Sequence, residues 1–150
     1  MTDTQFVMLQ KLTLDVLGEM AFMFVEPTEA PSQLEGQLAA YIVWQGPDGT
    51  DTLILEASSD FLMELASGVL GVEPSDVDTK VEGLLCLKEI ANVLAGEIIR
   101  ELGGEHSHFT LGIPFVIENH RAVDVEDGVV CNFVAMGQGF RASIIHQSVV

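Results

Sequence analysis

Apolar residues recur at three- and four-residue steps near the start of the chain. Phe6, Leu9, Leu12, Val16, Met20 and Met23 predict a helix over Thr4–Phe24. Glu26-Pro27-Thr28-Glu29-Ala30-Pro31-Ser32 predicts a loop stiffened by its two prolines. Leu38–Trp44 and Thr52–Glu56 then predict a strand pair. Gly46-Pro47-Asp48-Gly49 between them has the residues of a hairpin turn. Ser58 or Ser59 can cap a helix that runs to about Leu70, with Gly71 at its end. The acidic stretch Glu73–Asp78, which contains Pro74, is a seam. Beyond it a second long helix is expected from about Thr79 to Leu102, stopped by Gly103-Gly104. His108–Glu118 predicts a strand whose Pro114 calls for an edge or a bulge. Asp124-Val125-Glu126-Asp127-Gly128 predicts a turn. Val129–Met136 and Phe140–Gln147 predict a second hairpin across Gly137-Gln138-Gly139.

The two long helices share a pattern. Leu17-Gly18-Glu19-Met20-Ala21-Phe22 is echoed 70 residues later by Leu87-Lys88-Glu89-Ile90-Ala91-Asn92, and Leu14 matches Leu84. The chain therefore reads as one domain made of two related units, about residues 4–72 and 79–150. Neighbouring strands joined by tight turns favour an α+β fold, with long helices packed on a mainly antiparallel sheet.

Composition narrows the partners. The net charge is −17, from 23 acidic and 6 basic residues. This excludes nucleic acid and anionic membrane surfaces as natural partners. Hydrophobic residues make up 48% of the chain, and mean hydropathy is +0.36. That excess favours apolar surface buried against a second copy, a homodimer. No apolar run approaches the ~18 residues of a membrane span. Met1-Thr2-Asp3-Thr4 lacks the basic start of a signal peptide, so a cytoplasmic location is expected. Cys86 and Cys131 lie in apolar stretches without C-x-x-C spacing and are expected as reduced core thiols.

The chemistry gathers on the second long helix. Leu84, Leu87, Ala91, Leu94 and Ile98 line its apolar face, widened by Ile90 and Val93. Leu85, Glu89, Asn92 and Gly96 line the opposite one. Residues three apart lie about 60° apart around a helix, so Glu89 and Asn92 stand side by side. The first helix offers Glu19 but has Phe22 where the amide would fall. Asn92 offers a donor and an acceptor and is too weak a base to take a proton. It can hold a water in line with an electrophile, and such positioning supplies much of the acceleration in phosphoryl transfer. A glycine in mid-helix at 96 costs about 1 kcal/mol relative to alanine, which suggests that something approaches the helix closely there, although an ordinary tight packing contact would serve equally well.

The duplicated helix, the order of elements and the spacing Glu89-x-x-Asn92 together resemble the CheC/CheX/FliY group of chemotaxis phosphatases. Within that group the match is to CheX. The group's motif is an Asp or Ser, three residues, Glu, two residues, Asn, then a proline a little over twenty residues on. Here Pro114 follows Asn92 by 22 positions, and the leading position is Leu85. The resemblance implies a phosphatase acting on the aspartyl phosphate of a CheY-like receiver domain. Asn92 would orient the attacking water, and Glu89 would pair with the receiver's active-site lysine. The Mg²⁺ would belong to the receiver, and the chain would carry no metal or cofactor of its own. CheX-type proteins also tend to be homodimers that share strands. Two other readings stay open. One is a non-catalytic module of the same fold that docks a receiver or a flagellar-switch component. The other is a structural dimer whose Glu-x-x-Asn spacing is accidental.

Other residues carry less. His106-x-His108 could place two imidazoles on one strand face, but a metal site needs a third ligand. His120 and His146 are isolated. Tyr41 and Trp44 are expected to pack in a strand. No nucleophile elbow, Walker loop or dinucleotide fingerprint is present.

Overall fold

A computed structural model describes residues 3–29, 37–103, 108–120 and 128–148. Helix α1 spans Asp3–Ala21, and a short strand β1 follows at Glu26–Thr28. The hairpin β2 (Gln37–Gly46) and β3 (Gly49–Ala57) leads into α2 (Ser59–Leu70). After the seam comes α3 (Leu84–Gly103). Strands β4 (Thr110–Leu111), β5 (Phe115–His120), β6 (Gly128–Ala135) and β7 (Gln138–Ser148) complete the order. The fold is α+β.

Every pairing in the seven-stranded sheet is antiparallel. Its order is β1-β6-β7-β3-β2-β4, with β5 also paired to β2. The two hairpins meet at the centre, β3 against β7, from Gly49↔Ser148 to Ala57↔Phe140. Each outer strand has crossed to the other hairpin: β1 lies on β6, and β5 lies on β2.

Period-two alternation explains how the helices are held. Leu38, Ala40, Ile42 and Trp44 of β2 share one buried core with Leu53 and Leu55 of β3, Cys131 and Phe133 of β6, and Phe140, Ala142 and Ile144 of β7. The helices contribute Leu9, Val16 and Leu17 of α1, Phe61, Leu62 and Leu65 of α2, and Leu87, Leu94 and Ile98 of α3 to that same core. Phe61 stacks on Phe140 at 4.8 Å and anchors α2 to the sheet. The other sheet face holds Glu56, which is fully buried and accepts from both Nε and Nη2 of Arg141 at 2.9 Å.

Several local expectations hold. Ser58 caps α2, its hydroxyl accepting from the Phe61 N–H at 3.1 Å, and Gly71 closes it in the left-handed conformation at φ 69°. The turn of the first hairpin is Gly46-Pro47-Asp48-Gly49, although both strands run longer than expected. Both cysteines are free and buried. Trp44 is buried, and Tyr41 stacks on Phe115 at 5.3 Å.

Other expectations change. Glu26–Thr28 is a strand rather than a loop. It lies at the sheet edge, where Pro27, lacking an N–H, is tolerated. The second hairpin turns at Met136-Gly137, with φ of 50° and 76°, one step before the expected glycine pair. Two successive positive φ angles match the right-handed twist of the flanking strands. The strand expected over His108–Glu118 is split into β4 and β5, with Pro114 at the break; there the Gly112 N–H still reaches the Val43 carbonyl at 2.7 Å. The second long helix begins with a π-helical turn at Thr79–Gly83, capped by Asp78. Gly104, His106 and the turn expected at Asp124-Val125-Glu126-Asp127 lie outside the described residues.

The first helix is shorter than its periodicity predicts. It stops at Ala21, and Phe22 adopts φ 54°. The Met23 N–H reaches back six residues to the Leu17 carbonyl at 3.2 Å and closes the helix. Apolar spacing continued past the stop because Met23 and Val25 still pack towards the core.

Candidate functional site

Helix α3 positions the site. Its inner face buries Leu84, Leu87, Ile90, Ala91, Leu94, Ala95 and Ile98, which fixes the helix's rotation against the sheet. The opposite face is then set by geometry. Leu85, Glu89 and Asn92 are all exposed, and Leu85 is 57% exposed. At 3.6 residues per turn, Leu85, Glu89, Asn92 and Gly96 fall within an arc of about 60°. Glu89 and Asn92 thus stand together on a continuous helical surface.

Helix α1 lies alongside α3. Asp15, Glu19 and Met20 share a shallow groove with Val93 and Glu97. Lys11 is the partner of Asp15. Its hydrogen bond to Asp15, together with the Asp15, Glu101 and Glu19 charges, holds its ammonium above the ordinary lysine range. Arg100 is engaged by Glu97 at 3.0 Å. The face around Glu89 is therefore rich in carboxylates, and these two cations are already turned towards acids. It suits a cationic group on a partner. Cys86 feels the same field: burial first, then Glu82 and Glu89, raise its thiol pKa.

The expectation for the first copy needs correction. Glu19 is exposed on α1, but Phe22 is not a helical residue opposite Asn92. It is the residue just past the helix, 76% exposed. The first copy has lost the helical turn on which an amide would stand as well as the amide itself. Of the two readings of Gly96, the packing contact drops out. A Cβ built there meets no atom within 4 Å, so no packing contact inside the described chain requires glycine.

A cavity of about 310 Å³ lies away from this face, lined by Met8, Phe109, Asp51 and His146 among others. Sequence reasoning left His146 isolated, yet its Nδ1 lies 2.7 Å from the Asp51 carboxylate across the β3–β7 pair. The Glu56–Arg141 pair was missed as well. Its signal was a charge between core-facing neighbours in each strand, Glu56 between Leu55 and Ala57 and Arg141 between Phe140 and Ala142, which puts both on the sheet's other face. Among the described residues no cluster of three or more His, Cys, Asp or Glu could hold a metal ion. No helix among them is long and apolar enough to cross a membrane.

Among the described residues, three α-helices pack on one antiparallel sheet whose hairpins each carry the other's outer strand, and α3 presents Glu-x-x-Asn; this is a CheC-like fold. The family described as Chemotaxis phosphatase CheX matches residues 45–135, more than half of the chain, and the chain belongs to that family. Among curated proteins no sequence matches it. Its fold is similar to that of CheX from Vibrio vulnificus, at TM-score 0.79 and 18% identity over 95% of this chain and 99% of that one. A CheC-like superfamily protein from Shewanella sp. PV-4 superposes at TM-score 0.79 and 21% identity, over 98% and 100% of the two chains. CheX from Borrelia burgdorferi, in its complex with CheY, BeF3 and Mg²⁺, superposes at TM-score 0.76 and 16% identity over 93% and 96%.

Proposed function

We propose that this chain accelerates hydrolysis of the aspartyl phosphate of a CheY-like receiver domain in chemotaxis signalling. The observation that carries the proposal is the exposed, adjacent pair Glu89 and Asn92 on the solvent face of α3. A convex helix suits a substrate that is itself a folded protein with its own phosphate pocket. Asn92 enters that pocket, and its carbonyl accepts a hydrogen bond from the attacking water, holding it in line with phosphorus. The water oxygen bonds to phosphorus, the bond to the aspartyl oxygen breaks, and the receiver's carboxylate leaves. Glu89 pairs with the receiver's active-site lysine and fixes the docking. The Mg²⁺ is the receiver's and neutralises the phosphoryl oxygens; this chain supplies no cofactor. The complex of the Borrelia relative with CheY supports such a partner.

The same proposal makes the chain a cytoplasmic homodimer of one domain with two related units, about residues 4–72 and 79–150. Exchange of β1 and β5 between the two hairpins supports the two units. Ile113 and Phe115, exposed beside the outer edge of β5, support a second copy there. Leu85 gives weight to one other reading. An exposed leucine where the family has Asp or Ser suits a module that docks a receiver without hydrolysis.

The test is phosphate release from a phosphorylated CheY-type receiver. Wild type should accelerate it, and Asn92→Ala should lose about 100-fold or more. The fold should be nearly unaffected, because exposed helix positions change stability by within about 0.5 kcal/mol. Binding without acceleration by wild type would select the docking module. Equal rates for wild type and Asn92→Ala would remove Asn92 from the mechanism.

A further inference from the structure

We propose that Gly96 is a positioning residue: it leaves a notch beside Glu89 and Asn92 into which the receiver's surface seats, setting how deeply Asn92 reaches. The inference rests on the function proposed above. Glycine is the least favourable residue in a helix interior after proline, so α3 gains nothing from it locally. The usual structural reasons are missing. Among the described residues the positive-φ glycines are Gly49, Gly71 and Gly137, and Gly96 is not one of them. It sits within the unbroken helix Leu84–Gly103. A Cβ there would meet nothing within 4 Å.

Other glycines show what an internal requirement looks like. A Cβ on Gly68 of α2 would overlap the Ala21 carbonyl oxygen of α1, and one on Gly83 would press Leu62 Cβ at 3.2 Å. Gly96 has no such neighbour. Around the helix it falls about 40° from Asn92 and about 20° from Glu89, inside the arc they define and one turn beyond Asn92. An amide can enter a pocket in another protein only if the helix carrying it approaches that protein's surface closely. A side chain at 96 would stand between the two surfaces and draw Asn92 away from the phosphate. The occupant is therefore the receiver that carries the acyl phosphate.

The experiment compares wild type, Asn92→Ala, Gly96→Ala and Gly96→Leu, in melting temperature and in phosphate release from a CheY-type receiver. Titration with the same receiver, loaded with beryllofluoride and Mg²⁺, measures docking. Gly96→Ala should melt higher than wild type yet release phosphate at least tenfold more slowly. Gly96→Leu should fall to the receiver's spontaneous rate and bind the loaded receiver at least tenfold more weakly. A merely structural glycine would lower melting temperature and activity together, and that result overturns the inference. So does Gly96→Ala working at the wild-type rate while Asn92→Ala is inactive; the phosphatase reading then stands without the notch. Should wild type itself fail to accelerate release, the phosphatase reading falls. The titration then decides alone, and wild-type affinity in Gly96→Leu removes the notch.

Discussion

Cys131 shows how burial alone can give one residue a pH-dependent effect. Its sulfhydryl lies 3.6 Å from the Phe6 carbonyl, and burial pushes its thiol pKa from 9.0 up to about 12. A thiol is charged only after losing its proton, so the folded chain keeps a proton that the unfolded chain releases. Between about pH 9 and pH 12 stability therefore falls as pH rises; below 9 both states are protonated and the effect vanishes. Urea unfolding near pH 8 and near pH 10.5 should show this fall, and Cys131→Ala should make it shallower. An unchanged slope would assign the pH dependence elsewhere. Phe22 shows the opposite case, a residue that its own chemistry does not explain. Side chains other than glycine are unfavourable at its φ of 54°, yet the hydrogen bond from the Met23 N–H to the Leu17 carbonyl holds it there. Periodicity carried the expected helix through this position, because spacing records which side chains point inward and not which backbone groups close the helix.

Two elements dominate at the next scale. Helix α3 was legible in the sequence: its apolar arc and its Glu89–Asn92 face follow from the 3.6-residue repeat, and the observed burial matches. The pairing of β3 with β7 was not legible. Alternation gives each strand an inner and an outer face, but it does not say which strand lies beside which. That pairing places Glu56 directly across from Arg141 and Asp51 across from His146. Glu56 is fully buried, and the Arg141 guanidinium lies against it. Arg141→Met should destabilise the fold by about 3 kcal/mol, measured by urea denaturation, because it leaves a buried carboxylate without that cation. The double variant Glu56→Leu/Arg141→Met should recover most of the loss. If the double variant is as unstable as the single one, packing rather than charge accounts for the pair.

At the scale of the whole molecule, the two hairpins meet at β3 and β7 and exchange their outer strands. This leaves β5 at a boundary of the sheet with Phe115 exposed, and Ile113 86% exposed just before it. Among the described residues no strand pairs with the outer side of β5, and a sheet edge with apolar side chains invites another strand. Ile113→Lys should leave the monomer's fold intact, since the side chain is already in solvent. It should shift wild-type dimer to monomer in sedimentation velocity. A wild-type chain that sediments as a monomer would refute the homodimer. The acidic surface belongs to this scale too. A net charge of −17 is a long-range property that no single residue carries, and it favours a partner with a basic face.

The sequence by itself determined the central turns of the helices, the turn of the first hairpin, the free cysteines and the placement of Glu89 beside Asn92. All of these are local, and short-range periodicity and capping chemistry specify them. Tertiary structure decided the exchange of β1 and β5, the buried Glu56–Arg141 pair and the open space around Gly96. Each depends on which distant segment arrives alongside, and that is settled by how the apolar faces of the whole chain find a common core.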